Sequence, residues 1–292
     1  MKVYLELPEQ SRGIRRVRDA LEKYAPPQIE IVKTRNASDL EIVHVIGRHE
    51  HTKMHIDQLL HHKKPYAMVQ YCLRSTKKPR TEDWLNMWVN AQLVWSYYDL
   101  FSLCAEDNPS THYSFPFYHA PLGVEPVFYD RKVEDHKKYS ILASSQHALS
   151  ESGRECAFAV KRLGKRMFFL GHELRRGPDI VCETGLTDEE LADRYSSCEF
   201  VSGLRRIEGF ELPVVEGLMC GARPIVFDKP HYRQWFNEFA VFIPEDDRGQ
   251  VVDHLERVLW RGAKPVTKDE IDLARERFDW QKIVTNFWKQ IL

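Results

Sequence analysis

The chain has 292 residues, and its content of 43% hydrophobic and 12% aromatic residues excludes a disordered protein. No apolar run is long enough to cross a bilayer, and an acidic residue follows the start too early for a secretory signal peptide. Six cysteines are scattered without a CxxC pair, so we expect reduced thiols and a cytoplasmic protein. The net charge of −1 argues against a histone-like or acidic-tail protein.

Apolar runs alternate with helical patterns through the first part of the chain. This order predicts a parallel sheet with covering helices, an α/β fold. The predicted strands cover residues 2–7, 29–32, 40–46, 66–71 and 92–95. The predicted helices cover residues 12–24, 53–62 and 84–91.

The pattern pauses between about 107 and 138, where prolines recur, and then resumes. Strands are predicted at 140–143, 166–170, 180–182, 200–201 and 223–227. Helices are predicted at 151–163 and 212–220, and two capping boxes, at 187–190 and 267–270, open further helices. We therefore predict two doubly wound parallel-sheet domains, 1–124 and 125–275, facing a cleft, and a C-terminal helical segment, 276–292, that returns to the first domain.

One stretch, residues 207–224, predicts an anion site. A strand ends, a glycine turn follows, and a helix starts near Leu212 with Pro213 in its first turn. The backbone N–H groups of Phe210, Glu211 and Leu212 would lie at the positive end of this helix, where a diphosphate binds well. Glu216 follows about one turn later, within reach of hydroxyls attached to that phosphate, as in dinucleotide folds.

This stretch resembles the EGFGLPxxEAMACGxPVV signature of glycosyltransferase family 4, whose members have the GT-B fold. Glu208 and Glu216 are spaced as in the E-x7-E motif of retaining glycosyltransferases. Further similarity lies in the helix at 187–195, the strand at 222–228 and the segment 277–280, and more weakly at 121–124 and 40–44. The resemblance is strong over residues 178–290.

The resemblance implies a role for each residue of the motif. Gly209 and the amides of Phe210, Glu211 and Leu212 would hold the diphosphate of a UDP- or GDP-sugar, and Glu216 would bind its ribose. Glu208 would contact sugar hydroxyls or stabilise the charge on the transferred sugar. In that family hexosyl or pentosyl transfer with retention needs neither a metal nor a cofactor, only positioning and charge stabilisation.

The sequence departs from the family pattern at the donor site. Glu211 stands where the family has glycine, and a carboxylate there is unfavourable unless it points away or grips a sugar hydroxyl. An Arg and a Lys of the family fall on Gln146 and Ser152. A leaving diphosphate needs a cation or donor, so basic residues nearby become substitutes. They are Arg154, Arg206, Lys161 and Arg205.

The first 80 residues carry a net charge of +7, against −8 for the rest. The basic residues after the first and fourth predicted strands would rim the cleft and bind an anionic acceptor; they include Arg12, Gly13, Arg15, Arg16, Lys77 and Lys78. One acceptor is a hydroxylated base in phage-type DNA, presented by base flipping. The other is a lipid-linked glycan or surface polysaccharide, and peripheral membrane contact stays open.

Two other groups have both a functional and a structural interpretation. The aromatic residues Trp84, Trp88, Trp95, Tyr97 and Tyr98 either stack on a sugar or base or, as we favour, fill the core. The histidines at 49, 51 and 55 lack the H-E-x-x-H spacing of a metal site, so no metal is predicted. His44, at a strand end, is a candidate for assisting proton transfer.

Three functions remain open. The first is an active glycosyltransferase acting on an anionic acceptor. The second is a catalytically weak GT-B binding module, motivated by Glu211 and the missing cations. The third, a phosphorylase or epimerase of similar fold, fits the E-x7-E spacing poorly.

Overall fold

The computed structural model describes most of the chain. The described residues are 1–6, 12–45, 49–73, 81–110, 113–129, 137–144, 151–171, 174, 177–206 and 210–292. Glu208, Gly209, Lys77, Lys78 and Gln146 lie outside them, as does the side chain of Arg12.

Twelve strands are found in the described residues. The first six are β1 (Lys2–Leu5), β2 (Glu30–Val32), β3 (Leu40–Val45), β4 (Tyr66–Gln70), β5 (Val94–Ser96) and β6 (Phe117–His119). The other six are β7 (Tyr139–Ser144), β8 (Met167–Leu170), β9 (Ile180–Glu183), β10 (Cys198–Gly203), β11 (Arg223–Phe227) and β12 (Val241–Ile243).

Eleven α-helices are found in the same residues. The first four are α1 (Arg12–Lys23), α2 (His49–His61), α3 (Thr81–Val89) and α4 (Leu100–Asp107). The next five are α5 (Gly153–Arg162), α6 (Asp188–Ser196), α7 (Leu212–Met219), α8 (Pro230–Phe236) and α9 (Arg248–Arg261). The last two are α10 (Lys268–Arg277) and α11 (Trp280–Ile291). None of the described helices is long and apolar enough to cross a membrane.

The strands form two separate six-stranded sheets, and every described pairing within them is parallel. The first sheet has the order β2-β1-β3-β4-β5-β6, and the second has β12-β11-β10-β7-β8-β9. In each sheet the strand order reverses at one place: between β1 and β3, and between β7 and β10. Ligands of such sheets bind outside the carboxyl ends of the strands at these switch points.

The chain divides into two compact units. Unit 1 contains residues 1–123, 207–210 and 279–292, and unit 2 contains 124–206 and 211–278. Helix α11 packs within unit 1, where the indole N–H of Trp288 donates to the carbonyl of Leu21 over 3.1 Å. Gly123 belongs to the same packing, because a Cβ there would lie 2.4 Å from the Trp280 ring.

Both predicted capping boxes are present, at Thr187 with Glu190 and at Thr267 with Glu270. The C-terminal helical region breaks after Arg277, since Asp279 caps a new helix by accepting from the Lys282 N–H. Sequence patterns did not predict α4, β6, α8, β12 or α9. The two strands among these have three residues each, too few to show a period of two.

Candidate functional site

Helix α7 begins directly beyond the carboxyl edge of the second sheet and packs close to β10. Two glycines permit this approach. A Cβ on Gly203 would lie 2.3 Å from Val214, and one on Gly217 would lie 2.7 Å from Val201. Glu211 is the N-cap residue, with φ −106° and ψ 94°, and its side chain makes no capping hydrogen bond. The N-terminus of α7 is thus held at the carboxyl ends of buried strands.

Glu216 lies one turn inside α7 and is buried. The hydroxyl of Tyr195, on α6, donates to its Oε2 over 3.0 Å. Tyr195 is itself fully buried. This contact fixes one carboxylate oxygen, and the position of Glu216 beside the helix start follows from the predicted spacing.

Arg205, just after β10, is the centre of an ionic network at the switch point of the second sheet. Its Nε lies 2.9 Å from Oε2 of Glu211, and its NH1 lies 3.3 Å from Oε1 of Glu151. Its NH2 donates to Oγ of Ser144, the last residue of β7, over 3.3 Å. The hydroxyl of Tyr232 donates to Oε1 of Glu211 over 3.3 Å. We call these residues the Arg205 network.

A second group of charges lies after β11. Lys229 is 2.9 Å from a carboxylate oxygen of Glu245 and donates to the carbonyl of Arg206 over 3.0 Å. Arg206 donates to the carbonyl of Asp246 over 3.1 Å and lies 3.6 Å from Glu245. Both cations also lie over the ring of Phe227. Arg206 is therefore tied to the strand ends by its own contacts.

The other predicted donor-site residues differ in exposure. Arg154 is exposed on α5, and Phe210 and Leu212 are buried. Ser152, which aligns with the family lysine, is buried, and its Oγ has no hydrogen-bond partner within the described part of the chain. Of the two glutamates of the motif, Glu216 alone is among the described residues.

His44 lies near the end of β3 in unit 1. Its Nδ1 is 2.7 Å from the hydroxyl of Tyr71, which follows β4. Burial lowers the pKa of His44 to about 4, with Glu6 opposing and Arg18 adding to the shift. Burial also raises the pKa of Tyr71 well above 10. Both groups are neutral at pH 7, so they form a hydrogen bond between neutral groups whose direction depends on the imidazole tautomer.

Unit 1 also contains an ionic cluster that sequence patterns did not identify. His55, on α2, is 3.1 Å from Glu6 through Nδ1 and 2.9 Å from Glu41 through Nε2. Arg35 lies 2.9 Å from the second oxygen of Glu41. Burial alone lowers the pKa of His55, but its hydrogen bonds with Glu41 and Glu6 outweigh burial and raise this pKa to about 9. We call these four residues the His55 cluster.

The His55 cluster has the ligand types of a metal site but a balanced charge. One ligand atom each of Glu6, Glu41 and His55 lie within 4.8 Å of one another. However, the two carboxylates face two cations, the protonated His55 and Arg35, and both imidazole nitrogens point at carboxylates. A metal ion would have to displace a proton whose pKa is about 9. The charges of this cluster therefore support an ion-pair cluster rather than a metal centre.

The predicted acceptor residues lie on or near α1. Arg15 is exposed, and Gly13 and Arg16 are half-buried. The opposite face of α1 is buried through Ile14 and Val17. The aromatic group is core, since all five side chains are buried: Trp84, Trp88, Trp95, Tyr97 and Tyr98. Their use as stacking surfaces is excluded in this structure, and the alternative interpretation as core is confirmed.

No protein-family model and no curated protein matches the sequence. Solved structures do match. Sucrose-phosphate synthase from Thermosynechococcus elongatus gives a TM-score of 0.74 at 11% identity, over 99% of this chain and 98% of that protein. HepE of Anabaena, in complex with UDP and glucose, gives a TM-score of 0.70 at 9% identity, over 99% of this chain and 98% of HepE.

The pneumococcal O-GlcNAc transferase GtfA, in complex with UDP and GlcNAc, gives a TM-score of 0.63 at 14% identity. The match covers 86% of this chain and 56% of GtfA, so the chain spans little more than half the length of that enzyme. The structural matches assign the two parallel-sheet units to the GT-B fold class, which confirms the predicted fold.

Proposed function

We propose that the protein is a retaining glycosyltransferase that transfers a hexose or pentose from a UDP- or GDP-sugar to an anionic acceptor. The observation that carries this proposal is the start of α7 at the switch point of the second sheet, with Glu216 buried one turn inside the helix. Helix N-termini at such positions bind phosphate groups. The similar folds of HepE and GtfA, both in complex with UDP, support a nucleotide donor.

Within this proposal, residues 125–275 form the donor domain. The N–H groups at Phe210, Glu211 and Leu212 receive the diphosphate, and the field of the helix stabilises its charge as the bond to the sugar breaks. Glu216 accepts from the ribose hydroxyls while the Tyr195 hydroxyl keeps its carboxylate oriented. Glu208 and Gly209, which precede these residues, complete the family 4 motif in this assignment.

Unit 1 and the returning segment 276–292 form the acceptor side. The net charge of +7 over the first 80 residues and the exposed Arg15 support an anionic acceptor. Duplex DNA with hydroxylated bases is the acceptor we favour, because several phosphates can be neutralised together. A lipid-linked glycan is the alternative.

The activity is tested by incubating the protein with UDP- and GDP-sugars and measuring the release of nucleoside diphosphate. We expect turnover that persists in EDTA, because no metal takes part, and a product with the anomeric configuration of the donor. Glu216→Ala should weaken nucleotide binding, whereas Glu189→Ala, an exposed glutamate on α6, should not. If no nucleotide is turned over and none raises the melting temperature, the glycosyltransferase proposal is wrong.

The acceptor is tested by retention on duplex DNA and on vesicles with anionic lipids. Retention on DNA should be lost by about 0.3 M salt, since counterion release makes such binding salt-dependent. Replacement of Arg15, Arg16, Lys77 and Lys78 by Ala should abolish it, and unchanged retention would contradict the acceptor assignment. Preferential binding to vesicles would favour the lipid-linked glycan.

A binding module of low activity is a second candidate, favoured by the Arg205 network. The guanidinium nearest to the N-terminus of α7 is already paired with Glu211 and Glu151. Measurable binding of UDP without turnover of any sugar donor would support this candidate over the enzyme.

A further inference from the structure

In the Arg205 network, one guanidinium contacts two buried carboxylates. Glu151 and Glu211 are 5% and 1% exposed, and the Arg205 side chain is 13% exposed. A buried carboxylate is costly unless positive charge or hydrogen-bond donors surround it. The Tyr232 hydroxyl and the positive end of α7 add to the stabilisation of Glu211. Glu211 therefore already uses the field that an incoming anion would use.

Arg205 is the described cation best placed for an anion at this position. Its guanidinium contacts the N-cap residue of α7 directly, whereas Arg206 and Lys229 are bound to Glu245 and to backbone carbonyls. A guanidinium also presents a planar fork that binds two phosphate oxygens at once. Arg205 can release Glu211 and still retain Glu151 as a counter-ion.

We propose that Arg205 is the cation that receives the donor diphosphate, and that Glu211 is its resting counter-ion, displaced when the donor binds. This inference rests on the proposed nucleotide-sugar donor. It explains together the carboxylate in place of the family glycine and the uncharged Ser152 in place of the family lysine. Glu211 then lowers donor affinity, because binding must break its contact with Arg205 and bring a like charge beside it.

The test is calorimetric titration of the full chain with UDP. Glu211→Gln removes the competing charge, keeps the side-chain size, and leaves Arg205 balanced by Glu151. We expect UDP to bind about tenfold more tightly to this variant. Arg205→Lys keeps the charge but loses the fork, and we expect about tenfold weaker binding. In the double variant, the gain from Glu211→Gln should largely disappear because the two residues act on one contact.

Two controls separate this inference from a general change of charge. Glu189→Gln removes the charge of an exposed glutamate on α6, which is outside the Arg205 network, and should leave UDP affinity unchanged within about twofold. Uridine, which has no phosphate, should bind wild type and Glu211→Gln alike. Thermal unfolding curves confirm that each variant is folded before titration.

The possible outcomes separate a failure of this inference from a failure of the proposed nucleotide-sugar donor. If wild type binds UDP but Glu211→Gln gives no gain, or gives the same gain when combined with Arg205→Lys, the inference is overturned while the donor proposal stands. If Arg205→Lys binds UDP as well as wild type, Arg205 is not the receiving cation. If folded wild type and all variants fail to bind UDP and GDP, both proposals are wrong.

Discussion

Each of the two units contains a partly buried ionic group, and the two groups are stabilised differently. In the His55 cluster of unit 1, two cations face two carboxylates, and the high pKa of His55 keeps it charged at pH 7. In the Arg205 network of unit 2, the Arg205 guanidinium contacts Glu151 and Glu211, and Glu211 is also the N-cap residue of α7. The first group is therefore balanced by side-chain charges, whereas a helix N-terminus takes part in the second.

The carboxylate of Glu211 in unit 2 lies at the N-terminus of α7. A helix start carries positive partial charge, and it stabilises an anion whether that anion belongs to the protein or to a ligand. The comparison teaches that an ionic group is a candidate binding site where it includes a helix start, because a ligand anion can replace the protein's own carboxylate there. Variants of both groups test this comparison.

The largest effect is expected for Arg205→Ala. This change leaves Glu151 and Glu211 buried without their cation, so the free energy of unfolding should fall by about 3–5 kcal/mol. Urea denaturation at pH 7 measures this free energy. The control is Arg154→Ala, which replaces an exposed arginine on α5 and should change the free energy of unfolding by no more than about 0.5 kcal/mol. A loss below about 1 kcal/mol would show that the network is not held by its ion pairs.

The next effect concerns the close packing that places Glu211 beside Arg205. Gly203→Ala would put a Cβ 2.3 Å from Val214 and 3.3 Å from Glu211, which must move α7 away from β10. We expect the free energy of unfolding to fall by about 3 kcal/mol, because the added methyl group overpacks this contact. Gly177→Ala is the control, because none of the described residues lies within 4 Å of the added Cβ. Equal stability of the two variants in urea would contradict the close packing.

For unit 1, His55→Gln removes one cation of the balanced cluster. We expect the free energy of unfolding to fall by about 2 kcal/mol at pH 7. This loss is smaller than for a fully buried ion pair because the site is partly solvated. The folded-state pKa is raised from 6.5 to about 9, so the contribution of His55 is complete below pH 6.5 and disappears as pH rises through 9.

The check is the difference in unfolding free energy between wild type and His55→Gln at pH 7 and pH 10. This difference should be smaller at pH 10 than at pH 7. His51→Gln, which replaces an exposed histidine of the same helix, should leave the unfolding free energy unchanged at both pH values. A difference that is equal at both pH values would mean that His55 is not charged in the folded protein.

The smallest effect is expected for Tyr71→Phe, which removes the hydrogen-bond partner of His44 Nδ1. Loss of this hydrogen bond should lower the free energy of unfolding by about 1 kcal/mol. In wild type, nitrogen NMR should show a single imidazole tautomer of His44, and in the variant a mixture of tautomers. A mixture of tautomers already present in wild type would show that this hydrogen bond does not fix the imidazole.

His44 also limits the acid stability of unit 1. Its folded-state pKa is lowered to about 4, so the unfolded chain takes up a proton below pH 6.5 that the folded protein refuses. Stability should therefore fall as pH drops from 6.5 to 4, and His44→Gln should reduce this fall.

The start of α7 could be predicted from the sequence because its determinants are local. Pro213 and Glu216 stand at fixed offsets from Leu212, and they encode a helix start and a carboxylate one turn later. The partners of Arg205 and His55 could not be predicted, because Glu151 and Glu41 come from distant segments. Along the chain, His55 lies near other histidines without the spacing of a metal site, and its actual contacts are with Glu6 and Glu41, which are distant in sequence.

The sequence by itself determined the α/β class, most of the strands and helices, the two capping boxes and the position of α7. These depend on hydrophobic period and on chain neighbours, which the sequence states directly. Only the tertiary structure decided which charges pair, which aromatic residues are core, and that Glu211 contacts Arg205. Such pairings depend on the register and crossover of parallel strands, which bring side chains together independently of their separation along the chain.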